Sequence, residues 1–154
     1  VVASHLQWDH VGGLAQLPDA RLVVQRAEWE VANDADVAAA SPYEMDEYQT
    51  GHDVVLLDGE HDVFGDGSVT CVPTPGHTAG HQSLLVSGAG GRSLLAGDCC
   101  YFERTVDDGP LPPVGHDLEQ QAASVARIRS IRDAGARVIP AHDPDFWLRR
   151  PTML

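Results

Sequence analysis

Apolar residues along the chain fall into two rhythms. Short, mostly β-branched blocks recur, bounded by polar or glycine-rich turns, and they predict strands. These are Arg21–Gln25, Val54–Leu57, Ser68–Val72, Ser83–Val86, Ser93–Ala96 and Arg137–Pro140, with Val1–Ala3 reading as the end of another. Turns at Gly65-Asp66-Gly67 and Gly88–Gly91 separate the later blocks. Helical spacing is clearest over Leu118–Ala134, where Leu118, Ala122, Val125, Ile128 and Ile131 or Arg132 predict one core face. Asp117 is the expected N-cap, Gln120 stands at the capping-box position and Gly135 is the expected stop. Shorter helices are expected at Val11–Leu17, ended by Pro18, and at Arg26–Asn33. The Ala-rich stretch Ala35–Ser41 joins the second of these to an acidic segment, Pro42–Tyr48. Strands alternating with helices predict a layered α/β (α+β) fold with its polar motifs along one sheet edge.

Composition narrows the chemistry. The 154 residues, 43% hydrophobic and 21% charged, suit one globular domain spanning 1–154. The chain opens on Val1-Val2-Ala3 and runs at once into its most polar motif, so the domain is expected to be partial at its N-terminus. A net charge of -13 repels phosphate backbones, so no nucleic-acid partner is expected. No apolar run approaches the roughly 18 to 20 residues that span a bilayer, so no membrane partner is expected. With no signal-peptide pattern, the expected location is cytoplasmic. All ten basic residues are Arg, which removes Schiff-base and P-loop lysine chemistry. Three cysteines, Cys71 and the adjacent Cys99-Cys100, make neither a disulfide framework nor a C-x-x-C zinc site. No G-x-S-x-G elbow is present, which argues against a serine esterase.

Three polar clusters each follow a strand-like block. They are Ser4-His5-Leu6-Gln7-Trp8-Asp9-His10-Val11-Gly12-Gly13, then Thr74-Pro75-Gly76-His77-Thr78-Ala79-Gly80-His81-Gln82, and Gly97-Asp98 with Ala141-His142-Asp143. Imidazole and carboxylate at strand ends are donors that zinc, iron or manganese accept. If the first cluster is extended, residues 5, 7 and 9 face one way and residue 10 another, so one loop can serve two ions. Gly12-Gly13 is expected to let the next helix start close beneath that loop.

On these motifs the chain resembles the metallo-β-lactamase-fold hydrolases, whose signature is His-x-His-x-Asp-His with a distant His, an Asp and a final His. Within them it is most similar to the N-acyl homoserine lactonases. That likeness rests on Ser4-His5-Leu6, Val24-Gln25-Arg26-Ala27-Glu28, the stretch from Pro75 to Leu84, and Gly97-Asp98-Cys99-Cys100-Tyr101. The resemblance implies an αβ/βα sandwich lacking its N-terminal strands. It implies a first metal held by His5 and His77 and a second held by Asp9, His10 and His142, with Asp98 bridging. It implies Zn2+ (one or two ions, with Fe or Mn as substitutes). The activity implied is opening of a small lactone, such as an N-acyl homoserine lactone, by a metal-held hydroxide. Tyr101 would then steady the oxyanion and Asp9 would pass a proton to the leaving alkoxide.

One ligand position departs from the pattern: Gln7 stands where the signature has its second His. A neutral amide oxygen is a poor zinc donor beside imidazole, so the first metal position is the weakened one. Alternatives stay open: a thioesterase or glyoxalase-II-like hydrolase, a one-iron oxygenase of the same fold, or a non-catalytic metal-binding member. Outside the ligand set, His81 is expected to support the site through a hydrogen bond, and His52, His61 and His116 to be solvated. Asp143 is expected to cap the segment after it or support His142, and Cys99 and Cys100 to pack. Trp8, Phe102, Phe146 and Trp147 are pocket-wall or core candidates.

Overall fold

In a computed structural model of the chain, residues 1–107, 109–111 and 115–149 are described. Two sheets organise the molecule. Strands β1 (Leu22–Gln25) and β2 (Val54–Leu57) pair in parallel, Leu22 opposite Val54 and Gln25 opposite Leu57. The opening residues join the free edge of β1 through a parallel bridge of Val2 to Val23, as Val1–Ala3 predicts. The second sheet has the order β3-β4-β5-β6-β7: β3 (His61–Asp62), β4 (Val69–Pro73), β5 (Gln82–Gly88), β6 (Gly91–Leu95) and β7 (Ala136–Ile139). The β3-β4-β5-β6 run is antiparallel and β7 joins β6 in parallel, returning through a long helix.

Among the described residues, seven α-helices accompany these strands. They are α1 (Trp8–Val11), α2 (Arg26–Ala32), α3 (Ala35–Ala38), α4 (Met45–Tyr48), α5 (Glu103–Asp107), α6 (Leu118–Asp133) and α7 (Pro144–Arg149). The expected helix over Val11–Leu17 is displaced. The chain turns helical earlier, at Trp8, inside the polar motif, and a separate 3-10 turn covers Leu14–Gln16. Gly12 ends the first turn instead of opening the next helix, its N–H donating to Trp8 O. Strand β3 and helix α5 carry too few apolar residues to announce themselves, and α7 is too short for a helical period to show.

The α6 N-cap is as expected: the Asp117 side chain accepts from the N–H groups of Glu119 and Gln120. The reciprocal half of a capping box is absent, because the Asp117 N–H donates to Gly76 O at 2.9 Å. The buried face also differs from the apolar reading. Gln121, Ser124, Val125 and Ile128 are buried, whereas Leu118 and Ala122 are exposed. The reason is polar: Ser124 Oγ donates to Pro75 O at 2.6 Å, and the Gln121 amide lies against the carbonyls of Asp98 and Cys99.

Two apolar cores form. One gathers Leu6, Leu14, Leu22, Val24, Ala32, Tyr43 and Tyr48 around β1. The other gathers Val72, Leu94, Cys99, Cys100, Val106, Val125 and Ile128 around β4, β6 and α6, so both cysteines pack as expected. Between them runs a buried seam of polar side chains: His5, Glu28, Thr74, His81, Gln82, Ser83 and Asp98. Buried polar groups persist only where partners satisfy them. Here Gln82 spans the seam, donating to Ala3 O at 2.7 Å and accepting from Gln25 Nε2 at 2.8 Å.

Candidate metal centre

The seam opens to solvent where four loops end. The first loop is extended through Gln7, which bridges to Tyr43, and then winds into α1. The period-two argument therefore holds for His5 and Gln7 only, and Asp9 and His10 face the site from a helical turn. The second loop follows β4 and carries His77. The third is the 3-10 turn Gly97–Cys99 after β6, which carries Asp98. Gly97 adopts φ +55, and a Cβ there would lie 2.7 Å from His81 Nε2, so the turn has room for glycine alone. The fourth follows β7 and presents His142, whose N–H donates to Tyr101 O at 3.0 Å.

These loops bring together every residue singled out for the site. Ligand-type atoms of His5, His77 and Asp98 lie within 4.8 Å of one another, and so do those of Asp9, His10 and His142. Asp98 joins the two groups. Its Oδ1 lies 3.1 Å from His142 Nε2 and 3.3 Å from His10 Nε2, and its Oδ2 lies 3.5 Å from His77 Nε2. The His5 ring centroid is 4.0 Å from that of His10 and 4.9 Å from that of His77. The first group is buried and the second is open to solvent at Asp9 and His142. Gln7 points into the first group, its Oε1 3.2 Å from His77 Nε2.

Electrostatics keep His5, His77 and Asp98 in the protonation states a metal needs, and hold a proton more firmly on His10. Burial, then the neighbouring imidazoles of His81, His10 and His77, holds His5 well below the ordinary histidine range. Burial also lowers His77 against the pull of Asp98. For His10 burial is outweighed by the Asp98 and Asp9 carboxylates, and its pKa is raised. Burial of Asp98 is likewise outweighed by His10, His77 and His142, and its carboxyl stays ionised. His5 Nε2, His10 Nε2, His77 Nδ1 and Asp98 Oδ1 are buried yet make no aligned hydrogen bond. Unpaired polar atoms of this kind are costly, and a cation among them satisfies several at once. Imidazole and carboxylate are the donor set of zinc and its neighbours, so the residues present fit a divalent metal.

His81 supports the centre from behind, as expected. Its Nε2 accepts the Asp98 N–H at 3.0 Å, so the ring hydrogen sits on Nδ1, which meets Thr74 Oγ1 at 2.9 Å. Burial, with His77 beside it, lowers its pKa to about 3. Asp143 caps α7 as expected, Oδ1 accepting from Phe146 N–H, and its Oδ2 accepts from Glu103 N–H, tying the His142 loop to the segment after Tyr101. Tyr101 lies between the two groups, 5.2 Å from the His142 ring and 5.7 Å from that of His77. Burial and then the Asp98 and Asp9 carboxylates push its phenol up to about 12, so it is a proton donor at neutral pH.

Beside the first group lies a cleft of about 370 Å³ walled by Val31, Val37 and Pro42, with Gln7, His77 and Tyr101 at its polar end. His116 lines its rim and is exposed, as expected, while its backbone N–H donates to His77 O at 2.9 Å. His52 is also engaged, with Nε2 2.8 Å from Leu17 O, whereas His61 is exposed. Phe146 is core, and Trp8 and Trp147 are half-exposed. Two supports escaped the sequence reading. Ser4 Oγ contacts His5 Nδ1 at 3.1 Å, and Glu28 lies fully buried under the first two loops. Glu28 shares the buried face of α2 with Ala32, a placement that a charged side chain does not announce in sequence.

Comparison with known proteins agrees with this geometry. The chain is 35% identical over 154 residues to an N-acyl homoserine lactonase, AttM, of Azorhizobium caulinodans, covering 96% of the chain and 59% of the relative. It is 36% identical over the same span to the AttM lactonase of Rhizobium radiobacter, with the same coverage. It matches a solved N-acyl homoserine lactone hydrolase that holds N-hexanoyl-L-homoserine at its catalytic metal centre. That match has a TM-score of 0.85 and 26% identity, covering 99% of this chain and 60% of the other. The chain thus spans about 59% of the length of the curated relatives it matches. Among the described residues no helix is long and apolar enough to cross a membrane. The sequence profile of the Metallo-beta-lactamase superfamily matches residues 1–142, and this chain belongs to that superfamily.

Proposed function

We propose that the chain carries the metal centre of a lactonase that opens N-acyl homoserine lactones. The observation that carries this reading is the pair of ligand groups meeting at Asp98 with the Tyr101 phenol between them. His5, His77 and Asp98 would hold one ion, and Asp9, His10, His142 and Asp98 the other. Zinc fits the donor set best, with iron or manganese as substitutes. A divalent cation in such a site supplies Lewis acidity and acidifies water toward neutrality.

The chain's own residues supply the rest. Tyr101, protonated at working pH, donates a hydrogen bond to the carbonyl oxygen of the ester as negative charge grows there. Asp9, half-exposed on the first turn of α1, would take up the proton that the attacking water gives up and pass it to the departing alkoxide. The apolar wall at Val31, Val37 and Pro42 takes the acyl chain, and its volume falls within the range of small-molecule pockets, about 300 to 1,000 Å³. Gln7 favours a second reading of the metal content, in which the second position fills and the first binds weakly.

The test is hydrolysis of acyl homoserine lactones and of thioesters by the intact protein, with metal counted on the same sample. Lactone turnover that is lost on chelation and restored by zinc is expected. Turnover of thioesters alone would withdraw the lactonase reading.

A further inference from the structure

Glu28 is fully buried on α2, where three uncharged donors converge on its carboxylate. Oε1 accepts the Leu6 N–H at 3.0 Å and the Tyr43 hydroxyl at 3.0 Å, and Oε2 accepts the Gly80 N–H at 3.0 Å. Leu6 lies between His5 and Gln7 in the first loop. Gly80 lies between His77 and His81 in the second. The carboxylate thus joins the two backbone segments that present the first ligand group. The second loop is also pressed onto α2 itself, since a Cβ at Gly80 would lie 2.1 Å from Glu28 N.

We propose that Glu28 is a positioning residue of the metal centre, holding the His5 loop and the His77 loop at the spacing their imidazoles need to share one ion. This rests on the assignment of His5 and His77 as ligands. A buried carboxylate is a costly way to fill space, and an apolar side chain of similar size would pack without that cost. What a carboxylate offers is two acceptor oxygens that serve both loops at once. A glutamine cannot do this. Its amide nitrogen must face either the Gly80 N–H or the Leu6 N–H and Tyr43 hydroxyl, and that contact sets donor against donor. Tyr43 is braced by the same carboxylate, and the first loop is further tied to this segment by the Trp8 N–H donating to Pro42 O at 3.1 Å.

The experiment compares Glu28→Gln with Val24→Ala in the intact protein. Val24 lies buried in the first apolar core on the neighbouring strand, and its side chain has no polar atom to tie the loops. Zinc affinity is measured by competition with a chromophoric chelator, and the ligand-field spectrum of the Co2+-loaded protein is recorded. Thermal midpoints of the metal-free forms are used to match the two variants for stability. Positioning predicts that Glu28→Gln weakens zinc about 10- to 100-fold more than the stability-matched control and shifts the Co2+ bands. Equal losses with unchanged bands would overturn it. If Glu28→Gln does not fold, Glu28→Asp, one methylene shorter, is judged by the same criterion. Failure of both to fold would assign Glu28 to the core alone and overturn the proposal. A wild-type protein that binds no zinc fails the ligand assignment itself, a result distinct from equal losses.

Discussion

At the scale of single residues, the centre works by giving each polar atom one available state. His81 shows this most clearly. It is sealed from solvent and accepts the Asp98 N–H, so it has one tautomer and passes its other hydrogen toward Thr74. Tyr101 is held as a phenol in the same way, by burial beside carboxylates. Tyr101→Phe is therefore expected to leave metal content unchanged and to slow lactone turnover about 100-fold, roughly 3 kcal/mol of lost oxyanion stabilisation. Steady-state kinetics at saturating metal check this, and a fall of less than about threefold would remove Tyr101 from the chemistry. Gln7 is the opposite case, a side chain in ligand position with a weak donor atom. Its amide oxygen already faces His77 Nε2 at 3.2 Å, so an imidazole substituted there is directed into the same group. Gln7→His is expected to raise metal stoichiometry toward two ions and tighten the weaker one by at least tenfold. Native mass spectrometry reads the count directly, and an unchanged count would show that the amide is accommodated.

At the scale of elements, helix α6 shows where pattern reading succeeds and where it stops. Its limits and its cap follow from Asp117, the period of Val125 and Ile128, and Gly135, which takes φ +96 beyond the last turn. Asp117 does two jobs, capping α6 and tying it to the His77 loop through Gly76 O. Asp117→Ala is expected to cost about 1 kcal/mol of unfolding free energy, measured by urea denaturation. A change below about 0.3 kcal/mol would show that the cap is idle. The orientation of α6 did not follow from periodicity, because Gln121 and Ser124 are buried to bond loop carbonyls, which hydrophobicity alone does not weigh. The same limit hid the start of α1. A polar motif carries no apolar rhythm, so nothing in it distinguished an extended loop from one that winds at Trp8. The strands were legible because short apolar blocks stand between polar or glycine-rich turns. The convergence of the candidate ligands was legible because His and Asp recur at strand ends, a pattern spacing preserves. Glu28 and Ser4 were not, since their meaning lies in partners distant along the chain or in the backbone around them.

At the scale of the whole molecule, the two apolar cores meet along a polar seam instead of merging. Each core by itself holds one sheet, and the candidate ligands are divided between them: His5, Asp9 and His10 come from the first side, and His77, Asp98 and His142 from the second. A cation shared by these residues would cross-link the two halves at the point where hydrophobic burial is weakest. Binding to the folded state alone adds RT ln(1 + [L]/Kd), about 2.7 kcal/mol when free metal is one hundred times Kd. For a domain of this size that corresponds to a rise in Tm of roughly 5 to 10 °C. Removing metal from the intact protein with a chelator is expected to lower Tm by that amount, and added zinc to restore it. The links have different addresses, so variants separate them. His142→Ala leaves the buried group of His5, His77 and Asp98 whole and is expected to retain part of the zinc-dependent shift. His77→Ala with His142→Ala removes one ligand from each group and is expected to abolish it. A Tm that responds to zinc equally in the wild type and the double variant would place the stabilising ion elsewhere and uncouple the seam from the metal.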